Sequence, residues 1–129
     1  MLASALDLTS EADSAAGTGF PRQARLTLPR EYQKVFAGAK RLGDRYFTVL
    51  ALANELDHPR LGLAVSRRNA PRAVDRNRIK RVVRESFRHH QAGLESVDLV
   101  IIAKPAARDA DREQLFQALD QQWRRLRRR

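Results

Sequence analysis

Nine basic residues and two acids, Asp75 and Glu85, lie between Arg67 and Arg88 of the chain. Most of the nine are arginines, and a planar guanidinium group donates paired hydrogen bonds to phosphate oxygens and stacks on bases. The chemistry that this segment favours is therefore the binding of a polyanion, of which nucleic acid is the commonest. A solvated arginine face is the alternative, but acids that would pair with these cations locally are nearly absent.

The whole chain has the same charge bias. Twenty-five Lys and Arg face fifteen Asp and Glu in 129 residues, a net charge of +10. Residues 1–21 hold three of the acids and no basic residue, so residues 22–129 carry a net +13. An anionic membrane is the weaker partner, because no long amphipathic helix pairs a Lys-rich face with a Trp, Phe and Leu face.

The sequence does not indicate a protein active site. His58 lies in a turn-rich segment, and His89 and His90 lie at the end of a predicted helix. Adjacent helical residues point about 100° apart, so this pair is poorly placed to share one metal ion. Asp98 begins an apolar strand without a second carboxylate near it in sequence. We therefore predict no catalytic residue and no metal ligand on the protein itself.

Composition also bears on compartment and domain organisation. The chain contains no cysteine, which fits a reducing cytoplasm. No apolar run approaches the roughly 20 residues that span a bilayer. Residues 1–21 lack the basic start of a secretory signal and are rich in Ala, Ser, Gly and Thr. We predict a flexible extension over residues 1–21, one folded domain over residues 22–129 and a cytoplasmic location.

Hydrophobic periodicity predicts the elements that position the basic segment. A helix is expected over PREYQKVFAG, with Thr27 as its cap. Two alternating strands, RYFTVLALA and RLGLAVS, are expected to pair as an antiparallel hairpin. VDLVIIAKP is expected to be a buried central strand, and the last segment, from Asp109, a helix that buries Leu115, Phe116, Leu119, Trp123 and Leu126. This order predicts an α+β sandwich, with helices packed on a small sheet.

The basic segment is predicted to be a helix, with Asn69 as its N-cap and Pro71 in its first turn. Its apolar stripe is Ile79, Val82, Val83 and Phe87. The opposite face is expected to carry five cations spaced by four residues, flanked by Arg78 and Arg81; the five are Arg72, Arg76, Lys80, Arg84 and Arg88. Like charges at this spacing destabilise an isolated helix by a few tenths of a kcal/mol per pair, a cost that a bound polyanion offsets.

The order of residues around this helix is specific. Residues 62–88 read GLAVSRRNAPRAVDRNRIKRVVRESFR. A GL.VS strand, two basic residues, a short connector and a helix with AV.RN..KR..RE.FR resemble the protein subunit of bacterial ribonuclease P. Upstream, REYQKVFAGAK is similar to that family's first helix, and VDLVIIAKPAA is similar to its later strand. The resemblance covers roughly residues 25–120.

The resemblance implies a fold and a function. The family has a ribosomal protein S5 domain 2-like sandwich of order α-β-β(-β)-α-β-α, with a left-handed βαβ crossover against the usual rule. Its members bind a large catalytic RNA, and the complex removes the 5′ leader of precursor tRNA. The RNA and its bound Mg²⁺ perform the hydrolysis, while the protein holds the leader in a cleft between sheet and first helix. No membrane and no obligate protein partner are implied.

The motif also implies site residues, position by position. The RNA-binding set is Arg67, Arg68, Arg72, Arg76, Asn77, Arg78, Lys80, Arg81, Arg84 and Arg88. The amide of Asn77 is suited to a phosphate or a 2′-hydroxyl, with a hydrogen bond inside the helix as the alternative. The leader-binding set is Tyr32, Phe36 and Phe47, since exposed aromatic rings stack on bases of any sequence. Core packing is the alternative for these three. A further family aromatic falls at Leu50, which cannot stack.

Two other functions fit parts of the sequence. A ribosomal or assembly protein would use the same basic helix to bind RNA outside any enzyme. A sequence-specific DNA binder would need a helix-turn-helix pair, which is not apparent. The string RNRIKR, placed after GLAVS, favours the ribonuclease P subunit over both.

Overall fold

The structure is a computed structural model that describes residues 24–127, so the extension predicted over residues 1–21 lies outside the described residues. A short 3-10 turn, Gln91–Gly93, follows the longest helix. The helices and strands are, in chain order, α1 (Pro29–Gly38), β1 (Lys40–Gly43), β2 (Phe47–Ala53), β3 (Arg60–Ala64), α2 (Ala73–His90), β4 (Val97–Ala103), α3 (Pro105–Asp109) and α4 (Arg112–Arg125).

The fourth strand lies inside the sheet. The strand order is β1-β2-β4-β3, with β2 antiparallel and β3 parallel to β4. The predicted hairpin between β2 and β3 is therefore wrong, because β4 separates them. Six of the seven residues of β4 are buried, and a strand this apolar is best protected between two neighbours. β3, α2 and β4 form a parallel crossover, whose left-handedness stays a prediction.

Helices cover both faces of the sheet. The larger core lies between one sheet face and the helices α2 and α4, and it includes Val49, Leu99 and Trp123. The apolar stripe predicted for α2 is buried in it. The smaller core lies between the other sheet face and α1, and it includes Leu50 and Val100. The predicted α+β class and the optional third strand, β1, are confirmed.

The basic helix begins later than its sequence suggests. α2 starts at Ala73 with Arg72 as N-cap, and the backbone N–H groups of Asp75 and Arg76 donate to the Arg72 carbonyl. Asn69 is not the cap, because its side chain donates instead to the carbonyl of Ala103 at 2.9 Å. This bond attaches the connector to the end of β4.

The helix predicted from Asp109 begins at Arg112, and a short helix that was not predicted, α3, precedes it. Asp111 is the N-cap of α4, where its Oδ1 accepts from the N–H of Gln114 at 2.8 Å. Gln114 Oε1 accepts in return from the N–H of Asp111 at 2.9 Å. This reciprocal capping box starts a new helix two residues after α3 ends. The sequence contains this signature at Asp111 and Gln114, but its apolar spacing does not indicate α3.

The first helix packs closely on β3 at a glycine. Tyr32 of α1 lies on Gly62, and its hydroxyl donates to the carbonyl of Leu26 at 3.0 Å. A Cβ at position 62 would lie 2.5 Å from Cε1 of the Tyr32 ring and 2.8 Å from Cζ. No carbon approaches an aromatic ring that closely, so the missing side chain lets α1 lie against the sheet.

We expect Gly62→Ala to destabilise the fold, because Tyr32 must leave its position and its hydrogen bond. Overpacking of this kind costs about 1–3 kcal/mol in the free energy of unfolding, which urea denaturation would measure. Gly93→Ala is the matched control, since a Cβ there meets nothing within 4 Å. Equal stability of the two variants would contradict the close approach of α1.

Candidate nucleic-acid interface

The connector between β3 and α2 is held by hydrogen bonds from both ends. Ser66 Oγ accepts from the N–H of Asn69 at 2.9 Å, and the Ser66 carbonyl accepts from the N–H of Ala70 at 2.9 Å. Arg67 and Arg68 lie inside this turn and are exposed. The turn therefore presents two guanidinium groups from a fixed backbone.

Arg76 stabilises the same connector from the helix side. Its Nη1 donates to the carbonyls of Ala70 at 3.0 Å and Pro71 at 2.8 Å, and only 8% of the residue is exposed. A guanidinium group committed to two backbone carbonyls orders the loop that carries Arg67 and Arg68. Arg76 thus supports the connector that carries these two arginines, although it is itself buried.

The predicted row of five exposed cations is therefore wrong in its middle. Lys80 is only 2% exposed and Arg84 is half-buried, whereas Arg72 and Arg88 are exposed. The reason is geometric, because a step of four residues turns about 400° and each member lies some 40° beyond the last. Arg72, the N-cap, precedes the helix and is exposed; within the helix the row lies beside the core at Arg76 and Lys80 and reaches solvent at Arg88.

The exposed stripe of α2 follows a different spacing. Asn77, Arg81 and Arg88 are exposed, at intervals of four and seven residues. Arg78, which lies beside them, is half-buried and donates to the carbonyls of Arg108 at 2.9 Å and Ala110 at 3.0 Å. These two hydrogen bonds attach α2 to the junction of α3 and α4.

We define the basic surface as the connector and the exposed stripe together: Arg67, Arg68, Arg72, Asn77, Arg81 and Arg88. Within residues 24–127, none of its five arginines has a carboxylate within ion-pair distance. Because residues 22–129 carry a net charge of +13, few carboxylates elsewhere in the protein can neutralise these arginines. The surface is suited to a polyanion with closely spaced phosphates.

The three predicted leader-binding aromatics lie in different places. Phe47 is fully buried in the larger core, on the sheet face opposite α1, so its assignment to the cleft is wrong. Alternation along β2 decides this, since Phe47, Val49 and Ala51 point to the same side. Tyr32 is 5% exposed and packs on Gly62, which agrees with the core-packing alternative.

Phe36 is the aromatic residue that α1 leaves at the surface of the cleft. It is half-buried and packs against the smaller core, as do the partly buried Leu52 and Ile102. Leu50 is 9% exposed and lies in that core. The cleft between α1 and the sheet thus has an aliphatic floor and one partly accessible aromatic ring.

An ion-pair network that the sequence did not suggest joins α1 to the sheet. Arg60 donates through Nε and Nη2 to the two oxygens of Asp98, at 2.8 and 2.7 Å. Its Nη1 donates to Glu31 Oε2 at 2.7 Å. Asn54 Nδ2 donates to Asp98 Oδ1 at 3.0 Å. The register that places Arg60 beside Asp98 comes from the parallel pairing of β3 and β4, which local patterns do not reveal.

The network shifts two pKa values. The hydrogen bonds that Arg60 donates to Asp98 raise the pKa of Arg60 above its ordinary value, against the effect of burial. Burial alone would raise the pKa of Glu31. The backbone N–H groups of Leu28 and Thr27 and the charge of Arg60 outweigh it, so this pKa lies below its ordinary value of 4.5. Both groups are therefore held in their charged forms.

Acid should weaken this link. A carboxylate whose pKa is lower in the folded than in the unfolded state stabilises the fold fully above the unfolded value, near 4.5. That contribution is lost as the pH falls through the folded pKa. We expect the difference in unfolding free energy between the protein and Glu31→Gln, measured in urea, to be constant near neutrality and to shrink below about pH 5. A difference that is unchanged down to pH 3 would contradict the assignment.

Other groups considered for chemistry remain dispersed. Within residues 24–127, no three His, Asp or Glu side chains gather closely enough to hold a metal ion. His90 Nδ1 lies 2.9 Å from the Ser86 carbonyl, and its ring lies beside Trp123 between α2 and α4. None of the helices in that range is both long and apolar enough to cross a membrane.

The model of the Ribonuclease P family matches residues 20–127. The chain belongs to the ribonuclease P protein family. The ribonuclease P protein component of Vibrio campbellii is 50% identical over 107 residues, which cover 83% of this chain and 91% of that protein. The same component of Thioalkalivibrio sulfidiphilus is 47% identical over 112 residues, covering 87% and 93%.

Solved ribonuclease P proteins have the same architecture. The protein from Thermotoga maritima superposes with a TM-score of 0.72 and 31% identity, covering 81% of this chain and 98% of that one. The protein from Staphylococcus aureus gives a TM-score of 0.72 and 32% identity, covering 76% and 90%. The resemblance inferred from residues 62–88 is confirmed, and so is the chain's place as a protein subunit of ribonuclease P, a tRNA-processing endoribonuclease.

Proposed function

We propose that the protein binds the catalytic RNA of ribonuclease P through the basic surface. The observation that carries this proposal is the set of five exposed arginines without a carboxylate partner among residues 24–127, on a backbone fixed by Arg76 and Asn69. Each guanidinium that contacts a phosphate releases condensed counterions, which favours binding at low salt. Asn77 lies on the same stripe and offers hydrogen bonds to a phosphate or a 2′-hydroxyl.

The second part of the proposal concerns the precursor tRNA. Its 5′ leader would lie in the cleft between α1 and the sheet, where Phe36 stacks on a base. Stacking is tolerant of sequence, as a leader of variable sequence requires. The placement of both sites on one rigid domain would hold the leader at a fixed distance from the RNA subunit.

The third part assigns the chemistry to the RNA component and the Mg²⁺ that it holds. The carboxylates nearest the cleft, Glu31 and Asp98, are committed to Arg60. The protein would lower the magnesium concentration that the complex requires, because its cations replace part of the counterion charge around folded RNA. We place this work in the cytoplasm, without an obligate protein partner.

The test is cleavage of precursor tRNA by a bacterial ribonuclease P RNA at low Mg²⁺, with and without this protein. We expect the protein to restore accurate 5′ cleavage at a concentration of Mg²⁺ where the RNA alone is inactive. Polylysine of matched charge is the control for non-specific neutralisation. If polylysine replaces the protein fully, or if neither supports cleavage, the proposed function is wrong.

A further inference from the structure

We propose that Arg60 is a positioning residue for leader binding, because it fixes the tilt of α1 over the sheet through Glu31. The inference rests on the proposed leader cleft and adds a residue outside it. The Arg60 guanidinium contacts Glu31 and Asp98, and neither of these is a part of the basic surface or of the Phe36 contact.

The Arg60 network has two parts with different roles. Arg60 and Asp98 are register partners on neighbouring strands, so their bidentate pair lies wholly within the sheet. The bond from Arg60 Nη1 to Glu31 Oε2, at 2.7 Å, is the part that reaches the helix. Loss of Glu31 therefore leaves the charge of Asp98 compensated, and the sheet keeps its own ion pair.

Glu31 binds the beginning of α1 at the same time. Its Oε1 accepts from the N–H groups of Thr27 at 3.0 Å and Leu28 at 2.9 Å, while Oε2 accepts from Arg60. One carboxylate thus connects the backbone at the helix start to β3. Such a connection stabilises the helix and also restrains its direction, because it attaches the start of α1 to β3.

Helical geometry places this link and the stacking residue on opposite sides of α1. Tyr32 and Val35 define the buried centre of the helix. At 100° per residue, Glu31 and Gly38 lie on one flank, and Phe36 lies on the other. The 3.7 Å approach of a Cβ at Gly38 to Leu52 agrees with the first flank lying close to β2.

A restraint on the Glu31 flank of α1 also fixes the distance between the Phe36 flank and the sheet. With Arg60 holding the Glu31 flank, rotation of α1 about the Tyr32 contact is blocked, and Phe36 keeps its height above Ile102. Without that restraint, α1 is free to roll, and the ring no longer meets a base at stacking distance. A small misplacement of a contact group is enough to reduce binding strongly.

The decisive variant is Glu31→Gln, which removes the ionic link and keeps an acceptor for the helix start. The matched control is Glu85→Gln, which breaks the comparable pair with Arg112 between α2 and α4, at 2.9 Å, on the other side of the sheet. Arg60→Lys is a second test, because one ammonium group cannot span Asp98 and Glu31 together. Thermal unfolding identifies any variant that fails to fold.

Two measurements are made on the assembled ribonucleoprotein. The first is the ratio of affinities for precursor tRNA and mature tRNA. We expect Glu31→Gln and Arg60→Lys to lower this ratio about threefold to tenfold and Glu85→Gln to leave it unchanged. The second is the ¹⁹F signal of 4-fluorophenylalanine at position 36, which should shift in Glu31→Gln and stay in place in Glu85→Gln.

Phe36→Ala separates the two possible failures. If it lowers the affinity ratio while Glu31→Gln and Arg60→Lys do not, the leader cleft stands and the positioning role of Arg60 is wrong. If Phe36→Ala also leaves the ratio unchanged, the cleft itself is misassigned and the inference fails with it. A stability loss in Glu31→Gln without a change in ratio or in ¹⁹F shift would reduce Arg60 to a structural residue.

Discussion

Replacing Arg67, Arg68 and Arg81 together by alanine will flatten the salt dependence of binding to the RNA subunit by about two to three units of slope, in a plot of log affinity against log salt. Each phosphate contact contributes about 0.7–0.9 to this slope, because it releases condensed counterions. If the affinity extrapolated to 1 M salt is unchanged, the loss at 0.1 M is about 10²-fold to 10³-fold.

The three residues are chosen because the structure leaves them exposed and without a carboxylate partner, so alanine removes charge without breaking an internal bond. The control removes the same charge from β1, from the turn between β1 and β2 and from α4, by Arg41→Ala, Arg45→Ala and Arg124→Ala, all exposed. We expect less than one unit of slope for the control. Equal slopes for the two triple variants would show that net charge, rather than the basic surface, determines binding.

The sequence identified the basic helix correctly but not the role of each cation in it. Arg76 and Lys80 belong to the motif by position, and the structure buries both. A pattern of charges gives the number of cations, whereas the 40° drift of a four-residue spacing decides which of them meet solvent. Arg78 donates to the backbone carbonyls of Arg108 and Ala110, some thirty residues along the chain, and no local spacing predicts such partners.

For the strands too, the sequence predicts what neighbouring residues determine and not what residues far apart in the chain determine. Alternation placed Phe47, Val49 and Ala51 on one face, and the structure agrees. Alternation cannot say which face receives which helix, and the family resemblance places Phe47 in the cleft although it packs under α2 and α4. Pairing of β2 with β4 joins residues some fifty positions apart and replaced the hairpin that proximity favoured.

Local patterns predict the α+β class, and the family resemblance adds the function, which local patterns do not give. It did not supply the Arg60 network, since Arg60, Glu31 and Asp98 lie on three separate elements and each looks like an ordinary charged residue in sequence. Only the register of β3 against β4 brings Arg60 to Asp98. Residues that act through tertiary ion pairs are therefore the part of this site that needs a structure.

The leader cleft makes the second large prediction, on Phe36→Ala. Removing the ring should weaken binding of precursor tRNA to the assembled ribonucleoprotein by about 1–2 kcal/mol, or about fivefold to thirtyfold, with little effect on mature tRNA. The estimate lies in the lower part of the range for stacking because the ring is half-buried and already contacts the smaller core. Equilibrium binding of the two tRNAs measures the difference.

Phe116→Ala is the matched control, because Phe116 is also half-buried but lies on α4, on the opposite side of the sheet. Both variants lose apolar contacts, so a general loss of stability would affect the two tRNAs equally in either protein. Tyr32→Phe separates the core from the cleft in the same way, since it keeps the ring and removes the hydroxyl that donates to the Leu26 carbonyl. If only Phe36→Ala weakens the binding of precursor tRNA selectively, a base of the leader must lie against the Phe36 ring. Equal weakening of both tRNAs would show that Phe36 does not contact the leader.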